Sequence, residues 1–289
     1  MDIYELSKFS MQMNRKSVLV SASLVAYKND IHELQEAIDS FLNTQLPIHL
    51  YIIDNSPTDW LKDRIGYDDR VEYIFTNGNK GFGAGHNIGL KKAALAGSKY
   101  HIILNPDIQF SEGLIEQLVG FAESHTDIGM IMPNVVYPNG STQYLCKLLP
   151  TPFDIFGRRL LPAKLIAKRN YKYEMRTTGY KQTRNVPCLS GCFMFLDMEV
   201  IARVGLFDEG YFLYFEDNDL IRRIHKIAKT VFYPQATVVH KHTRAHATSK
   251  KVLAISIRSA IRYFNKWGWL FDKERKKWNK EAFDDINII

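Results

Sequence analysis

The sequence predicts an α/β fold with a mostly parallel central sheet flanked by helices, and three observations predict it. Apolar runs of strand length alternate with stretches of helical periodicity, as a chain of βα units requires. The runs are nearly continuous in apolar and small residues, which suits strands covered on both faces. Three of the first four runs stop at polar residues: Tyr27 and Asn29 after the first, Asp54 and Asn55 after the second, Asp107 after the fourth. In open α/β sheets the carboxyl edge of the strands is where ligands bind, so one edge gathers the chemistry.

Ser17 to Ala26 (SVLVSASLVA) reads as the first strand. Asp30 opens a helix, with Glu33 at capping-box spacing and Ile31, Leu34, Ile38, Phe41 and Leu42 on one apolar stripe. His49 to Ile53 and Val71 to Phe75 are the second and third strands. The fourth, His101 to Leu104, is too short for a helix, and Pro106 forbids further ladder pairing. The chain must turn there and leave Asp107 at the strand end, well placed to hold a hard divalent cation. Taken alone, Asn105-Pro106-Asp107 is equally a plain turn.

Between the third and fourth strands lies the densest glycine cluster, Asn77 to Gly89. Such a loop entering a helix lets backbone N–H groups approach a phosphate. Its spacing is not that of a dinucleotide fingerprint, and it follows the third strand rather than the first, which argues against a nicotinamide cofactor.

Beyond Asp107, Ser111 to Ser124 reads as a helix with Leu114, Ile115, Leu118 and Phe121 on its core face. Ile128 to Val136 and Ser141 to Leu145 read as two strands joined by a tight turn at Pro138-Asn139-Gly140. Arg158 to Arg184 holds nine Lys or Arg and one acid, Glu174, interleaved with leucines and tyrosines. A solvated loop, a nucleic-acid surface and a contact with anionic lipid all fit that composition. A small-residue turn, Val186 to Gly191, enters a further strand. Gly205 to Asp219 ends in clustered carboxylates that run into a helix, Leu220 to Ala228. Acids suit a helix's first turn for its dipole alone, but the aromatic run before Glu216 and Asp217 would wall them from water. Thr230 to Tyr233 and Ala236 to His240 read as closing strands, and no Cys or acid stands at zinc-ligand spacing from the histidines after them. Ser249 to Phe271 reads as an amphipathic helix with Leu253, Ile257, Ile261, Phe264 and Trp267 on its apolar face beside basic Arg258, Arg262 and Lys266. That face suits docking on the core, and the basic stripe suits an anionic membrane.

With 289 residues, 46% of them hydrophobic, the chain can bury a full core. A formal net charge of +7 points to an anionic partner. Cys146, Cys188 and Cys192 have no metal-ligand spacing and fit buried thiols in a reducing compartment. No apolar run reaches membrane-span length and Met1 to Lys16 lacks a signal-peptide core, so a cytoplasmic protein is expected.

Four segments in order, Leu24-Val-Ala-Tyr-Lys-Asn29, Ile53-Asp-Asn-Ser56, Asn79-Lys-Gly-Phe-Gly-Ala-Gly-His-Asn-Ile-Gly89 and Leu104-Asn-Pro-Asp107, resemble glycosyltransferase family two, most of all its rhamnosyltransferase-like bacterial members. The likeness extends over roughly residues 17 to 245. It implies a GT-A fold, with 17–110 as the nucleotide-binding half, 111–245 as the acceptor half carrying the basic loop 158–184, 1–16 as an extension and 246–289 as a basic helical tail. It implies that Ala26, Tyr27, Asn29, Asp54, Asn55, Asn79, Gly81, Phe82, Asn87 and Asn105 bind a nucleotide-diphospho-sugar, with Tyr27 and Asp54 at the base. Asp107, aided by His240, would hold Mg or Mn on the diphosphate. Asn105 stands where many relatives carry the first Asp of a D-x-D pair, so one carboxylate holds the metal. The segment Phe215-Glu-Asp-Asn-Asp219 supplies the base, Asp217, with Glu216 and Asp219 orienting or binding the acceptor. Lys241, His242 and Arg244 would neutralise phosphate. The implied reaction is inverting transfer of a sugar, rhamnose from dTDP-rhamnose for choice, to a lipid-linked or oligosaccharide acceptor in surface polysaccharide synthesis. It places the enzyme on the inner face of a bacterial membrane, without a nucleic-acid partner. A nucleotidyltransferase would share a nucleotide-binding half but calls for a glycine-rich loop after the first strand, where this chain has Tyr27-Lys-Asn-Asp30. A silent saccharide-binding module would have no reason to keep Asp107 and Asp217 together.

Overall fold

The structure, a computed structural model, describes residues 3, 5, 18–157, 161–241, 249–284 and 287–289. Most of the N-terminal extension, Arg158 to Leu160, His242 and Arg244 lie outside the described residues.

Four strands, β1 (Val20–Ala26), β2 (Ile48–Asp54), β3 (Val71–Phe75) and β4 (Tyr100–Leu104), pair in parallel in the order β3-β2-β1-β4. Their connections run through α1 (Ile31–Leu42), capped by Asp30 accepting from the His32 and Glu33 amides, and α2 (Phe82–Ala96). β1, β2 and β4 are largely apolar because both faces are covered; Leu24, Ile52 and Ile102 are fully buried, and the buried polar Ser21 and Ser23 hydrogen-bond His101 at 2.7 and 2.8 Å. The parallel register stops at β4. Its next neighbour, β8 (Phe193–Asp197), runs antiparallel to it and to β6 (Ile128–Val136), and β6 pairs in parallel with β9 (Lys229–His240). Two-residue strands β5 (Ile108–Gln109) and β7 (Arg184–Asn185) pair antiparallel with β9. The second half of the sheet is therefore mixed. Alternating apolar runs do not carry strand direction, so sequence alone did not distinguish β8 from a parallel strand.

The remaining helices are α3 (Leu114–Glu123), α4 (Ala163–Tyr173), α5 (Met198–Val204), α6 (Glu216–His225), α7 (Lys250–Trp267) and α8 (Lys273–Glu281). Several boundaries differ from expectation for local reasons. α3 starts at Leu114 because Gly113 sits at φ +85°, outside the helical region. Ser141 to Leu145 is not a strand: Thr142 makes one isolated bridge to Val136, and Lys147 then bridges Cys188. The two closing strands are one, β9, whose ladder with β6 slips between Pro133 and Asn134 instead of breaking. α7 also sits rotated from its expected face, burying Ser256, Ser259, Ala260, Tyr263 and Phe264 while Leu253 and Ile261 stay exposed. Its partners Tyr211 and Phe215 lie beside the Tyr263 side.

Candidate active site

The turn after β4 is short enough that β5 begins at once and pairs Ile108 with His240 at the end of β9. That register sets Asp107 beside His240. The Lys241 amide donates to the Asp107 carbonyl at 3.0 Å, and Asp107 Oδ1 lies 3.3 Å from His240 Nε2. Gln143, buried in the segment after β6, fixes the other side of the ring. Its Nε2 donates to the His240 carbonyl at 2.8 Å, leaving Oε1 to face His240 Nδ1 at 2.9 Å. An amide oxygen only accepts, so a ring proton sits on Nδ1, and Nε2 faces the Asp107 carboxylate.

The second pair stands at the start of α6. Tyr214 and Phe215 both take positive φ, 70° each, conformations that ordinary residues adopt at a cost and that aim the first helical turn into the protein. Asp217 accepts from the Asn218 amide at 2.8 Å and the Gly191 amide at 3.1 Å. Gly191 permits that approach, since a Cβ there would meet Asp217 Cβ at 2.9 Å. Beside it, Glu216 is buried, and its Oε2 has no hydrogen-bond partner. Burial, then the Asp217 charge, pushes Glu216 up to about 8, and burial raises Asp217 as well. Two adjacent carboxyls resist ionising together, and Glu216 keeps its proton at neutral pH.

The turn entering β8 ties the pairs together. The Gly191 amide holds Asp217, and the next residue, Cys192, accepts from the Asn105 amide at 3.0 Å, two residues before Asp107. The buried Cys192 thiol registers both carboxylates: burial first, with Asp107 and Asp217 adding to it, pushes it up to about 12. One cleft of about 760 Å³ is lined by His240 and Gln143 on one side and by Glu216, Asp217 and Asn218 on the other, with Lys147, Tyr173 and Leu253 along its walls. Its size suits a sugar-sized ligand and more.

At the carboxyl edge of β1 and β2, Tyr27 is exposed and its amide donates to Asn29, while Ala26 pairs with Asp54 across the strands. Asp54 is fully buried, with its carboxylate accepting from the Tyr73 hydroxyl at 2.7 Å and the Ser56 amide at 2.9 Å. Asn55 donates to the Gly81 carbonyl at 3.1 Å, and the Gly81 amide donates to exposed Asn79 at 2.9 Å. The Phe82 amide at the start of α2 donates to the Phe212 carbonyl instead of facing a phosphate. Gly83, Gly85 and Gly89 lie within α2, where added Cβ atoms would strike Phe207, Val25 and Ser23 at 2.9, 2.8 and 2.4 Å. These glycines serve the close packing of helix on sheet. Asn87 is likewise a brace: it donates to the Phe207 carbonyl and Glu209 and accepts the Phe207 amide. Asp219 points away from the cleft, fully buried between Arg223, Lys266 and Trp267.

A family profile described as Glycosyl transferase family 2 matches residues 23–205, more than half the chain. The chain belongs to glycosyltransferase family 2. It is 28% identical over 225 residues to the N-acetylglucosaminyl-diphospho-decaprenol L-rhamnosyltransferase of Mycobacterium tuberculosis, covering 72% of this chain and 71% of that one. It is 25% identical over 212 residues to the low-salt glycan biosynthesis hexosyltransferase Agl10 of Haloferax volcanii, covering 72% and 62%. Among solved structures it resembles GalNAc-T7 with UDP, GalNAc and Mn2+, at TM-score 0.63 and 17% identity over 91% of this chain. The chain spans only half the length of that structure. It also resembles the mannosyltransferase PcManGT of Pyrobaculum calidifontis with GDP-Man and Mn2+, at TM-score 0.55 and 13% identity, over 84% of this chain and 64% of that one. These neighbours place this glycosyltransferase in the GT-A fold.

The residues present fit a divalent cation. Asp107 Oδ1 and His240 Nε2, an oxygen and a nitrogen of the kinds that ligate divalent metals, lie 3.3 Å apart at the end of β9. Among the described residues no three His, Cys, Asp or Glu gather into a fuller set. A cation held here would thus take its remaining ligands from substrate phosphate and water. Gln143, Tyr73 and Lys147 were not singled out from sequence, because a lone amide, phenol or lysine carries no local signature.

The raised Glu216 makes a stability prediction. Folded Glu216 holds its proton to about pH 8, whereas unfolded Glu216 loses it near 4.5. Its contribution is complete below that lower value and lost as pH rises through the upper one, by at most about 1.4 kcal/mol per pH unit between them. Glu216→Gln cannot ionise. Its stability relative to the parent, measured by urea unfolding, therefore increases steadily from about pH 5 to about pH 9. Parallel curves for the two proteins would show that Glu216 is ionised in the fold.

Proposed function

We propose that this chain is a metal-dependent, inverting glycosyltransferase that moves a sugar from a nucleotide-diphospho-sugar to a saccharide acceptor carried on a lipid diphosphate, in bacterial surface polysaccharide synthesis. The observation that carries the reading is that Asp217 and His240, the partner of Asp107, line one cleft, with the Gly191–Cys192 turn bonded both to Asp217 and to the strand end before Asp107. Rhamnose from dTDP-rhamnose is the favoured donor; the name of the Mycobacterium relative supports the sugar and also names a diphospho-decaprenol acceptor, while the thymidine carrier comes from the sequence resemblance alone.

In this reading an acceptor hydroxyl lies against Asp217, whose carboxylate is aimed by the Asn218 and Gly191 amides. Asp217 accepts the hydroxyl proton as the oxygen attacks the anomeric carbon, and the bond to the diphosphate breaks on the opposite face. Asp107 and His240 would hold Mg or Mn, which when bound supplies positive charge for the leaving diphosphate. Glu216, protonated, donates into the cleft without adding a second negative charge to the base. No helix among the described residues is long and apolar enough to cross a membrane, and the enzyme works as a peripheral protein at the cytoplasmic face.

A thermal-shift panel of dTDP, UDP and GDP, each with and without Mn, tests the donor reading, because a ligand that binds only the folded state raises Tm. The expected result is stabilisation by dTDP that grows with Mn. A chain that no nucleoside diphosphate stabilises is a binding module, not a transferase.

A further inference from the structure

α7 buries Ala260, Tyr263 and Phe264 but leaves part of its apolar surface in water. It turns Ser256 and Ser259 inward and leaves Leu253 and Ile261 43% and 40% exposed. Past its end, Gly268 at φ +102° bends the chain into a tip where Leu270 is 79% and Phe271 94% exposed. The tip is held in place: buried Arg275 donates to the carbonyls of Gly268, Trp269 and Pro150. Trp269 stacks on Phe156 with ring centroids 6.2 Å apart, and the Arg169 guanidinium of α4 lies 4.6 Å over Phe153. One turn before Arg169, Leu165 is 75% exposed. α7, the Phe153 to Phe156 segment and α4 with its terminal Tyr173 also supply Leu253, Ile155 and Tyr173 to the cleft. The exposed apolar side chains therefore sit on, or just past, elements that also line the cleft.

The charge around this rim is mostly positive. Residues 250–280 contain ten Lys or Arg against two Asp or Glu, and residues 161–173 contain four against none. Arg262 and Lys266 pair with Asp208, buried Arg275 with Asp272 and Arg169 with Asp154, which leaves the lysines of α4, Lys250, Lys251 and the lysines of α8 to carry the excess. A two-fold pairing of this face with a second copy would set those cations against each other. Most of the exposed apolar side chains here, Leu165, Leu253, Ile261 and Leu270, are aliphatic and offer no ring for a nucleic-acid base to stack on. Aliphatic and aromatic side chains at a tip, set among lysines, match the interfacial zone of an anionic bilayer.

We propose that this rim is a membrane-docking face: Leu165, Leu270 and Phe271 enter the interface of an anionic phospholipid bilayer, the flanking lysines lie on its headgroups, and the cleft opens onto the lipid surface. The inference deepens the acceptor reading above and rests on it for the purpose of docking, though docking itself is measured separately.

The test is sedimentation of the full chain with phosphatidylglycerol-containing vesicles and with pure phosphatidylcholine vesicles, alongside Leu270→Ser/Phe271→Ser, whose altered side chains sit in water and so leave the fold intact. The expected result is binding to the anionic vesicles at least tenfold stronger than to the neutral ones, weakened at least tenfold in the double variant, with the nucleotide-induced thermal shift of both proteins equal. Equal binding by variant and parent, equal binding to both vesicle types, or no binding at all overturns the proposal. So does a parent dimer in light scattering that the variant abolishes without any vesicle binding, which assigns the face to a second copy. Vesicle binding that persists without any nucleotide shift leaves the docking face standing and sinks the donor reading instead.

Discussion

Asp217→Asn lowers kcat by roughly 10²–10⁴-fold, the contribution of a positioned general base, and leaves donor affinity unchanged. The substitution keeps the shape of the side chain and one acceptor oxygen. It loses the proton-accepting charge and leaves either the Asn218 or the Gly191 amide without its acceptor, a cost on the order of 1 kcal/mol in stability. It also removes the charge that adds to burial in raising Glu216, so the carboxyl of Glu216 titrates lower in the variant. The contrast is Asp107→Ala, which takes away half of the facing pair with His240 and costs metal-dependent nucleotide affinity as well as rate. Steady-state kinetics with a nucleotide-binding measurement on both variants separates the roles. Equal loss of nucleotide affinity in the two would mean that Asp217 belongs to the donor site. In the parent, the acid limb of the kcat/KM profile lies above the ordinary carboxylate range because burial raises Asp217.

How far the site could be read in advance depended on the kind of signal each residue leaves. Asp107 was legible because Pro106 ends a strand and forces a turn, a local rule that holds whatever surrounds it. Its partner His240 is 133 residues away in sequence, and only the pairing of β5 with β9 places the two together. Its assignment rested on family likeness. The glycines of α2 misled because glycine has two uses. It can open a backbone to phosphate or let a helix approach a sheet, and composition does not distinguish them; Ser23 and Val25, where the helix rests, decide for packing. Asp219 was read together with Asp217, but at about 100° per residue the two point about 160° apart and cannot face one cleft. Asp219 lies on the side of Arg223 and Trp267. The tail was read as amphipathic, which it is. Its exposed Leu253 and Ile261 show that the strongest apolar stripe need not be the buried one when bulky partners such as Tyr211 and Phe215 favour a small-residue face.

The tail's other contribution is to hold the helix that carries the base. Arg222, 1% exposed near the end of α6, donates both guanidinium arms to Asp272 at 2.7 and 2.6 Å and reaches Glu274 at 3.1 Å. Its guanidinium lies 4.3 Å from the Trp267 ring centroid and 5.8 Å from that of Trp278. Burial opposes the charges, yet the paired hydrogen bonds win: Arg222 is held above its ordinary value and Asp272 below its own. Such a pair is worth little beside a well-packed apolar one, but leaving half of it is costly. Arg222→Ala strands a buried Asp272 carboxylate and empties a slot between two indoles, and is expected to lower the unfolding free energy by about 3–5 kcal/mol. Arg222→Met combined with Asp272→Leu, which removes both charges and refills the space, costs less than the single change. Urea unfolding of the three proteins decides it. A double variant as unstable as Arg222→Ala would mean that the ionic contact itself, not the stranded charge, holds the tail to α6. Because Glu216 and Asp217 form the first turn of the same helix, the folded fraction of Arg222→Ala also loses kcat. The double variant, with the helix packed against the tail again, recovers most of that rate.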